Sequence, residues 1–140
     1  MTPFVYFVDP TKAEIIMEFV QGQNAKDTLT SDICYEIGCY AALLHASNII
    51  HGDLTTSNFL VKETLILLDF GLSYYSERTE DKATDIRLIK EVFTSAHISI
   101  RKAFPCFVEG YASIAGRKNT DKILENVRNI ERRGRYARMT

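Results

Sequence analysis

Hydrophobic and polar positions along the chain change their period several times, and each change marks an element. Phe4-Val5-Tyr6-Phe7-Val8 and Ala13-Glu14-Ile15-Ile16-Met17-Glu18 flank the turn-like Asp9-Pro10-Thr11-Lys12. Short apolar runs around such a turn predict two strands. Gln21-Gly22-Gln23-Asn24 breaks the pattern and reads as a loop. Ile33, Ile37, Tyr40, Ala41 and Leu44 then recur at helical spacing. They predict a helix from a Thr30 or Ser31 cap to Ala46. His51 to Asn58 reads as a loop, and Phe59-Leu60-Val61 and Leu65 to Leu68 as a hairpin through Lys62-Glu63-Thr64. Further helices are expected over Lys82 to Ala96, over Ile98 to Ala115 with a bend at Pro105, and over Asp121 to Arg133. No internal repeat or low-complexity tract interrupts this order. The expected class is α+β, mainly helical, with two short β-hairpins.

Composition narrows the class. A chain of 140 residues suits one domain with a proper core. Its apolar runs are too short to span a bilayer, and no basic-then-apolar signal segment opens it. The expectation is no membrane, and a place in the cytosol or nucleus. Cys34, Cys39 and Cys106 form no C-x-x-C pair, and one would be left over in any disulfide scheme. Reduced, buried thiols are expected.

Charge adds one feature. The net charge is −1, yet residues 117 to 140 carry eight Lys or Arg against Asp121, Glu125 and Glu131. A solvated helix face would explain a run this modest. A basic tail for RNA or an acidic partner explains it equally, because Arg132-Arg133-Gly134-Arg135 lies beyond the last clear helical periodicity.

The candidate chemistry lies between the first long helix and the second hairpin. His51-Gly52-Asp53-Leu54-Thr55-Thr56-Ser57-Asn58 is followed by Asp69-Phe70-Gly71. An aspartate, four residues, an asparagine and then Asp-Phe-Gly after a strand is the spacing that manages phosphoryl transfer to a hydroxyl in kinases. The residue types follow from the reaction. A carboxylate takes the hydroxyl proton, and hard oxygen donors hold Mg2+. Asp-Phe-Gly alone is weak, since apolar strands often end in Asp-x-Gly turns. The combination is much more specific.

The element order resembles the large lobe of the protein-kinase-like fold, joined at the last strands of a small lobe. Three stretches, His51 to Asn58, Asp69-Phe70-Gly71-Leu72-Ser73 and Glu80-Asp81-Lys82-Ala83-Thr84-Asp85, together with the basic ending, resemble one family. It is the small atypical kinase family of the KEOPS (EKC) complex, PRPK-like. The resemblance implies an ATP- and Mg2+-dependent Ser/Thr kinase or ATPase that supports threonylcarbamoyladenosine modification of tRNA. The threonylcarbamoyl-transferase subunit would be its direct partner, and Arg132, Arg133, Arg135 and Arg138 would offer tRNA contact. A partner on the small lobe is implied only if a small lobe exists.

Residue by residue, the resemblance makes Asp53 the catalytic base and Asn58 and Asp69 the Mg2+ ligands. Met17 becomes the gatekeeper, and the Glu18 carbonyl and Val20 N–H would meet the adenine edge above an apolar floor at Leu60. Composition alone would assign Met17, Val20 and Leu60 to ordinary packing. His51 is expected to be a packed histidine, His45 a helix-end and His97 a surface one. Asp85 becomes the buried acceptor that braces the loop backbone.

Departures from the kinase pattern shape the expected mechanism. Gly52 stands where many kinases carry the arginine that receives an activation-loop phosphate. No proline lies between Asp69 and Asp85, so the Ala-Pro-Glu element is absent. Upstream of His51 there is no G-x-G-x-x-G, and Lys12 and Lys26 sit in no V-A-I-K-like strand. The expected object is a large lobe spanning 1–140, with 1–20 a remnant of small-lobe strands and hinge and 117–140 a basic helix and tail. Its small lobe would lie outside this sequence or be lost. A non-catalytic kinase-fold scaffold, and a small-molecule phosphotransferase of the aminoglycoside or choline kinase type, are the alternatives.

Overall fold

The computed structural model describes residues 1–97 and 99–139. β1 (Val5–Asp9) and β2 (Glu14–Met17) form the first antiparallel hairpin, with Asp9 opposite Glu14 and Val5 opposite Met17. Its turn is tied by the Asp9 carboxylate, which accepts the Thr11 N–H at 3.0 Å and hydroxyl at 2.6 Å. Part of the expected loop after it is ordered differently. Gln23–Asn24 is a short strand, β3, that pairs with β5 (Phe59–Val61), and β5 pairs in turn with β6 (Leu65–Leu67). An edge strand needs only backbone groups, so its lack of apolar side chains hides it from a hydrophobic pattern. The Asn24 side chain then caps a one-turn helix, α1 (Ala25–Thr28), by accepting the Lys26 N–H.

The long helix lies where its periodicity puts it. α2 (Ser31–Ala46) starts at Thr30, whose hydroxyl accepts the Ile33 N–H at 3.2 Å. Asn48, at φ 57°, turns the chain out of it into β4 (Ile49–Ile50), which pairs with β7 (Tyr74–Tyr75). A 3-10 turn, Thr56–Asn58, leads into β5.

The remaining helices shift from their expected bounds. α3 (Thr79–Ala96) begins three residues before Lys82. The added turn carries Glu80 and Asp81, acids favoured at a helix start rather than apolar markers of a buried face. α4 (Ala103–Ala115) starts later than expected, and Ile98 lies outside the described residues. Pro105 occupies the third helical position. The N–H it lacks has no intrahelical acceptor there, so proline marks the start of α4 rather than a bend within it. α5 (Arg117–Arg138) runs past Arg133. Its buried face, Thr120, Ile123 and Val127, continues to half-buried Ile130, and the turns from Arg132 to Arg138 are exposed, so no apolar periodicity marks where the helix ends.

α2 and α4 pack closely along their lengths. A Cβ on Gly110 would lie 1.9 Å from the Tyr35 carbonyl oxygen, and one on Gly38 2.0 Å from that of Phe107. Ile37, Phe107, Tyr111, Ile86, Ile89 and Val127 fill the space among α2, α3, α4 and α5, while Leu54 and Phe59 extend this core under the loop. The first hairpin stays outside it: Val5, Phe7, Ile15 and Ile16 are each about half exposed. Among the described residues no helix is long and apolar enough to cross a membrane.

Candidate active site

The His51–Asn58 loop hangs from a buried carboxylate. Asp85 on α3 accepts the His51 N–H at 2.7 Å through Oδ2 and the Gly52 N–H at 2.9 Å through Oδ1. This is the bracing acceptor expected at Asp85. Oδ2 also lies 3.1 Å from His45 Nε2. A carboxylate can only accept here, so Nε2 donates, and a neutral His45 then accepts the Tyr111 hydroxyl proton at Nδ1, 2.8 Å away. His45 is therefore a core histidine, not merely a helix-end one. Its spacing from Cys34, Gly38 and Ala41, on the buried face of α2, carried that signal. Tyr111 is buried, and burial together with nearby Asp85 pushes its phenol pKa up.

His51 ties the loop at Asp53 to the segment that leads from β6 to Asp69. Its ring is fully buried and sits 2.9 Å from the Leu68 carbonyl through Nε2. A carbonyl can only accept, so Nδ1 is free to accept the Asp53 N–H at 3.2 Å. His51 packs against Phe70, with ring centroids 5.0 Å apart. It is a packed histidine, as expected.

Gly52 accounts for the missing arginine. It adopts φ 83°, and a Cβ there would lie 2.4 Å from the Leu72 carbonyl oxygen. Both the backbone region and the space exclude a side chain.

Three oxygen-bearing side chains gather beside this frame. The Asn58 amide nitrogen donates to the Asp53 carbonyl at 2.8 Å and to Asp53 Oδ2 at 3.0 Å, leaving Asn58 Oδ1 as a donor atom for a cation. The Asn58 carbonyl accepts the Leu68 N–H at 2.8 Å, which fixes Asp69, the next residue, against the loop. Asp69 stands at φ 58°, a left-handed conformation that aspartate tolerates better than most residues. Its Oδ1 accepts the Gly71 N–H at 3.2 Å, and the side chain is exposed. Among the described residues no group of three or more His, Cys, Asp or Glu is built to hold a metal. One carboxylate and one amide oxygen nevertheless suit Mg2+, which usually takes its other ligands from water and phosphates.

The residues expected to meet adenine lie at the end of β2, just after it, and on β5. Met17 ends β2 and is about half exposed, and Glu18 is fixed by its N–H to the Phe4 carbonyl at 2.7 Å. Val20 is half-buried. Among the described residues the Glu18 carbonyl and the Val20 N–H take part in no hydrogen bond. Leu60 lies on β5, opposite Ile66 and Asn24.

Two further placements correct the sequence reading. His97 is buried rather than on the surface, with Nε2 3.0 Å from the Thr56 hydroxyl. Burial, and Lys26 nearby, hold its pKa below the ordinary histidine value. The four arginines of the basic ending lie within α5, not beyond a helix. Arg133 pairs with Glu80 at 2.8 Å, while Arg135 and Arg138 line a groove against Arg87 and Lys90 of α3.

The chain is 41% identical over 98% of its length to the probable bifunctional tRNA threonylcarbamoyladenosine biosynthesis protein of Methanobrevibacter smithii, covering 26% of that protein. It is 39% identical to the protein of that name from Methanocaldococcus jannaschii, covering 25% of it. It is also 34% identical to the KEOPS complex subunit Bud32 of Pyrococcus abyssi, covering 96% of this chain and 65% of that subunit. The chain thus spans about a quarter of the bifunctional relatives and under two thirds of Bud32. The model of the protein tyrosine and serine/threonine kinases matches residues 7–95, more than half of the chain, and the chain belongs to that family.

Proposed function

We propose that the chain carries the catalytic half of an ATP- and Mg2+-dependent Ser/Thr kinase or ATPase that supports threonylcarbamoyladenosine modification of tRNA. The observation that carries this reading is the Asp53–Asn58–Asp69 constellation, joined through the 3.0 Å contact of Asn58 with Asp53 and the 2.8 Å contact of its carbonyl with the Leu68 N–H. A scaffold would not need a carboxylate and two oxygen donors held this way. In this reading Asp53 takes the proton of the attacking hydroxyl or water, and Asn58 Oδ1 and Asp69 Oδ2 hold Mg2+. A Mg2+ ion held by these two residues would supply charge that offsets what develops in transfer.

The adenine edge would meet the Glu18 carbonyl and the Val20 N–H, with Met17 as gatekeeper and Leu60 beneath the ring. Residues 1 to 20 act as the last strands and hinge of a small lobe. The half-exposed apolar residues of the first hairpin support this, since a two-stranded hairpin is marginal alone. Relatives named for threonylcarbamoyladenosine biosynthesis and for KEOPS support the tRNA role. The transferase subunit of that complex is the proposed direct partner, with tRNA contact through Arg132, Arg133, Arg135 and Arg138. Cys34, Cys39 and Cys106 are free thiols, which fits the cytosol or nucleus.

ATP turnover tests the reading. The full-length protein with its transferase partner should hydrolyse ATP in Mg2+ and stop in EDTA. The 140-residue chain alone should bind Mg-ATP poorly, because transfer depends on positioning by both lobes. Metal-independent turnover, or none in the full-length complex, would overturn it.

A further inference from the structure

The 3-10 turn that ends in Asn58 is held from outside as well as within. Thr56, its first residue, is buried, and its hydroxyl lies 3.0 Å from His97 Nε2. His97 follows α3 directly, and its ring meets Phe93 of that helix edge-on, with centroids 6.4 Å apart. Its carbonyl accepts the Ile100 N–H at 3.0 Å, which anchors it to the start of the α3–α4 connection as well. Within the turn, the Asn58 N–H donates to the Thr55 carbonyl at 3.1 Å. Asn24 donates to the Ser57 carbonyl at 2.8 Å from the other side. Asn58 therefore sits at the end of a three-residue element whose first side chain has one partner in the helical body.

We propose that His97 is a positioning residue for the divalent cation, fixing the Asn58 amide oxygen through the Thr56 hydroxyl. The inference rests on the reading of Asn58 as a Mg2+ ligand. A three-residue turn offers little to hold its own shape, because 3-10 hydrogen bonds are poorly aligned. An octahedral cation with bonds of about 2.1 Å tolerates little displacement of a ligand. A contact that fixes the turn from the body of the protein therefore acts on metal affinity, although it touches neither metal nor nucleotide. Partners one step removed from a metal ligand act in this way. Phe93 and the Ile100 N–H hold His97 from the helical body, so it transmits position rather than following the loop.

The test is the Mg2+ concentration that half-saturates binding of a fluorescent ATP analogue to the full-length protein. His97→Ala should raise it by roughly tenfold, the low end for outer partners of a metal ligand. His97→Gln, which restores a hydrogen-bonding group, should return it to within about twofold on the same scale. Thr56→Val should match His97→Ala, and the double variant should be no worse than either, as for two ends of one contact. A general loss of packing would lower the melting temperature without shifting the Mg2+ requirement. Asn58→Ala separates the two levels. If it raises the requirement while a folded His97→Ala does not, the role of His97 falls and the parent reading stands. If Asn58→Ala leaves the requirement unchanged, both fall. Should His97→Ala fail to fold, Thr56→Val decides alone, and an unchanged requirement there overturns the proposal. Additive effects in the double variant also overturn it.

Discussion

Asp85 and Gly52 are joined by a 2.9 Å hydrogen bond in which a buried carboxylate oxygen accepts a backbone N–H of the loop. The other oxygen accepts the His51 N–H and faces His45. One side chain on α3 thus sets the path of the backbone that leads to Asp53. Asp85→Asn replaces one acceptor by a donor facing a donor. The variant should lose about 3 kcal/mol of stability, the scale for buried hydrogen bonds to a charged group with one partner left unsatisfied. Urea unfolding measures it, and a loss within experimental error would contradict the bracing role.

Gly52→Arg would restore the residue that many kinases carry and should not restore their regulation. At φ 83°, with the Leu72 carbonyl in the way of any Cβ, the substitution must displace the loop or the residues after Asp-Phe-Gly. Gly52→Ala already carries that Cβ and should lower stability by about 1–3 kcal/mol, the usual cost of overpacking. Thermal unfolding of the alanine variant checks this. An unchanged melting temperature would mean that Leu72 yields freely.

Stability should fall in mild acid through His97. Its pKa is lowered from the ordinary 6.5 by burial and by Lys26. The unfolded chain therefore takes up a proton at a higher pH than the folded one does. The His97 contribution is intact above pH 6.5 and is lost as pH falls from there through the lower folded value. Urea midpoints from pH 7.5 down to about 5 should decline for the wild type and decline less for His97→Gln, which has no proton to gain. Parallel declines would assign the effect to other groups.

Much of this arrangement is legible in the sequence, and the parts that are not share a cause. α2, the second hairpin and the Asp53–Asn58–Asp69 spacing are visible because apolar periodicity or fixed intervals encode them. β3 is invisible because Gln23 and Asn24 pair through backbone alone. The end of α5 is invisible because its last turns, from Arg132 to Arg138, are exposed and bury no apolar face. His97 reads as a surface residue because its partner, Thr56, is polar and distant in sequence. The start of α4 is hard to place because Pro105 looks like a breaker wherever it stands, although near a helix start it breaks nothing.

The arginines of α5 should serve recognition rather than stability. Arg132, Arg133, Arg135 and Arg138 are exposed, and Arg133 makes an exposed ion pair with Glu80. Such pairs contribute about 0–1 kcal/mol. Replacing all four with glutamine should leave the melting temperature nearly unchanged. The salt slope of tRNA affinity in the complex should flatten by about 0.7–0.9 for each phosphate that is no longer neutralised. An unfolded variant, or one that keeps both its tRNA affinity and its partner, would return this stretch to a solvated helix face.

In the proposed mechanism Asp53 and Asp69 do different work in one phosphoryl transfer, and a paired measurement on the full-length protein separates the two roles. Mg2+-dependent nucleotide affinity and ATP turnover are read for Asp53→Ala and Asp69→Ala side by side. Asp69→Ala should raise the Mg2+ requirement and abolish turnover, as the loss of a proposed metal ligand requires. Asp53→Ala should keep nucleotide affinity and slow turnover by about a hundred- to ten-thousand-fold, the worth of a positioned base. Equal loss of nucleotide affinity in both variants, or turnover that survives Asp53→Ala, would contradict the account.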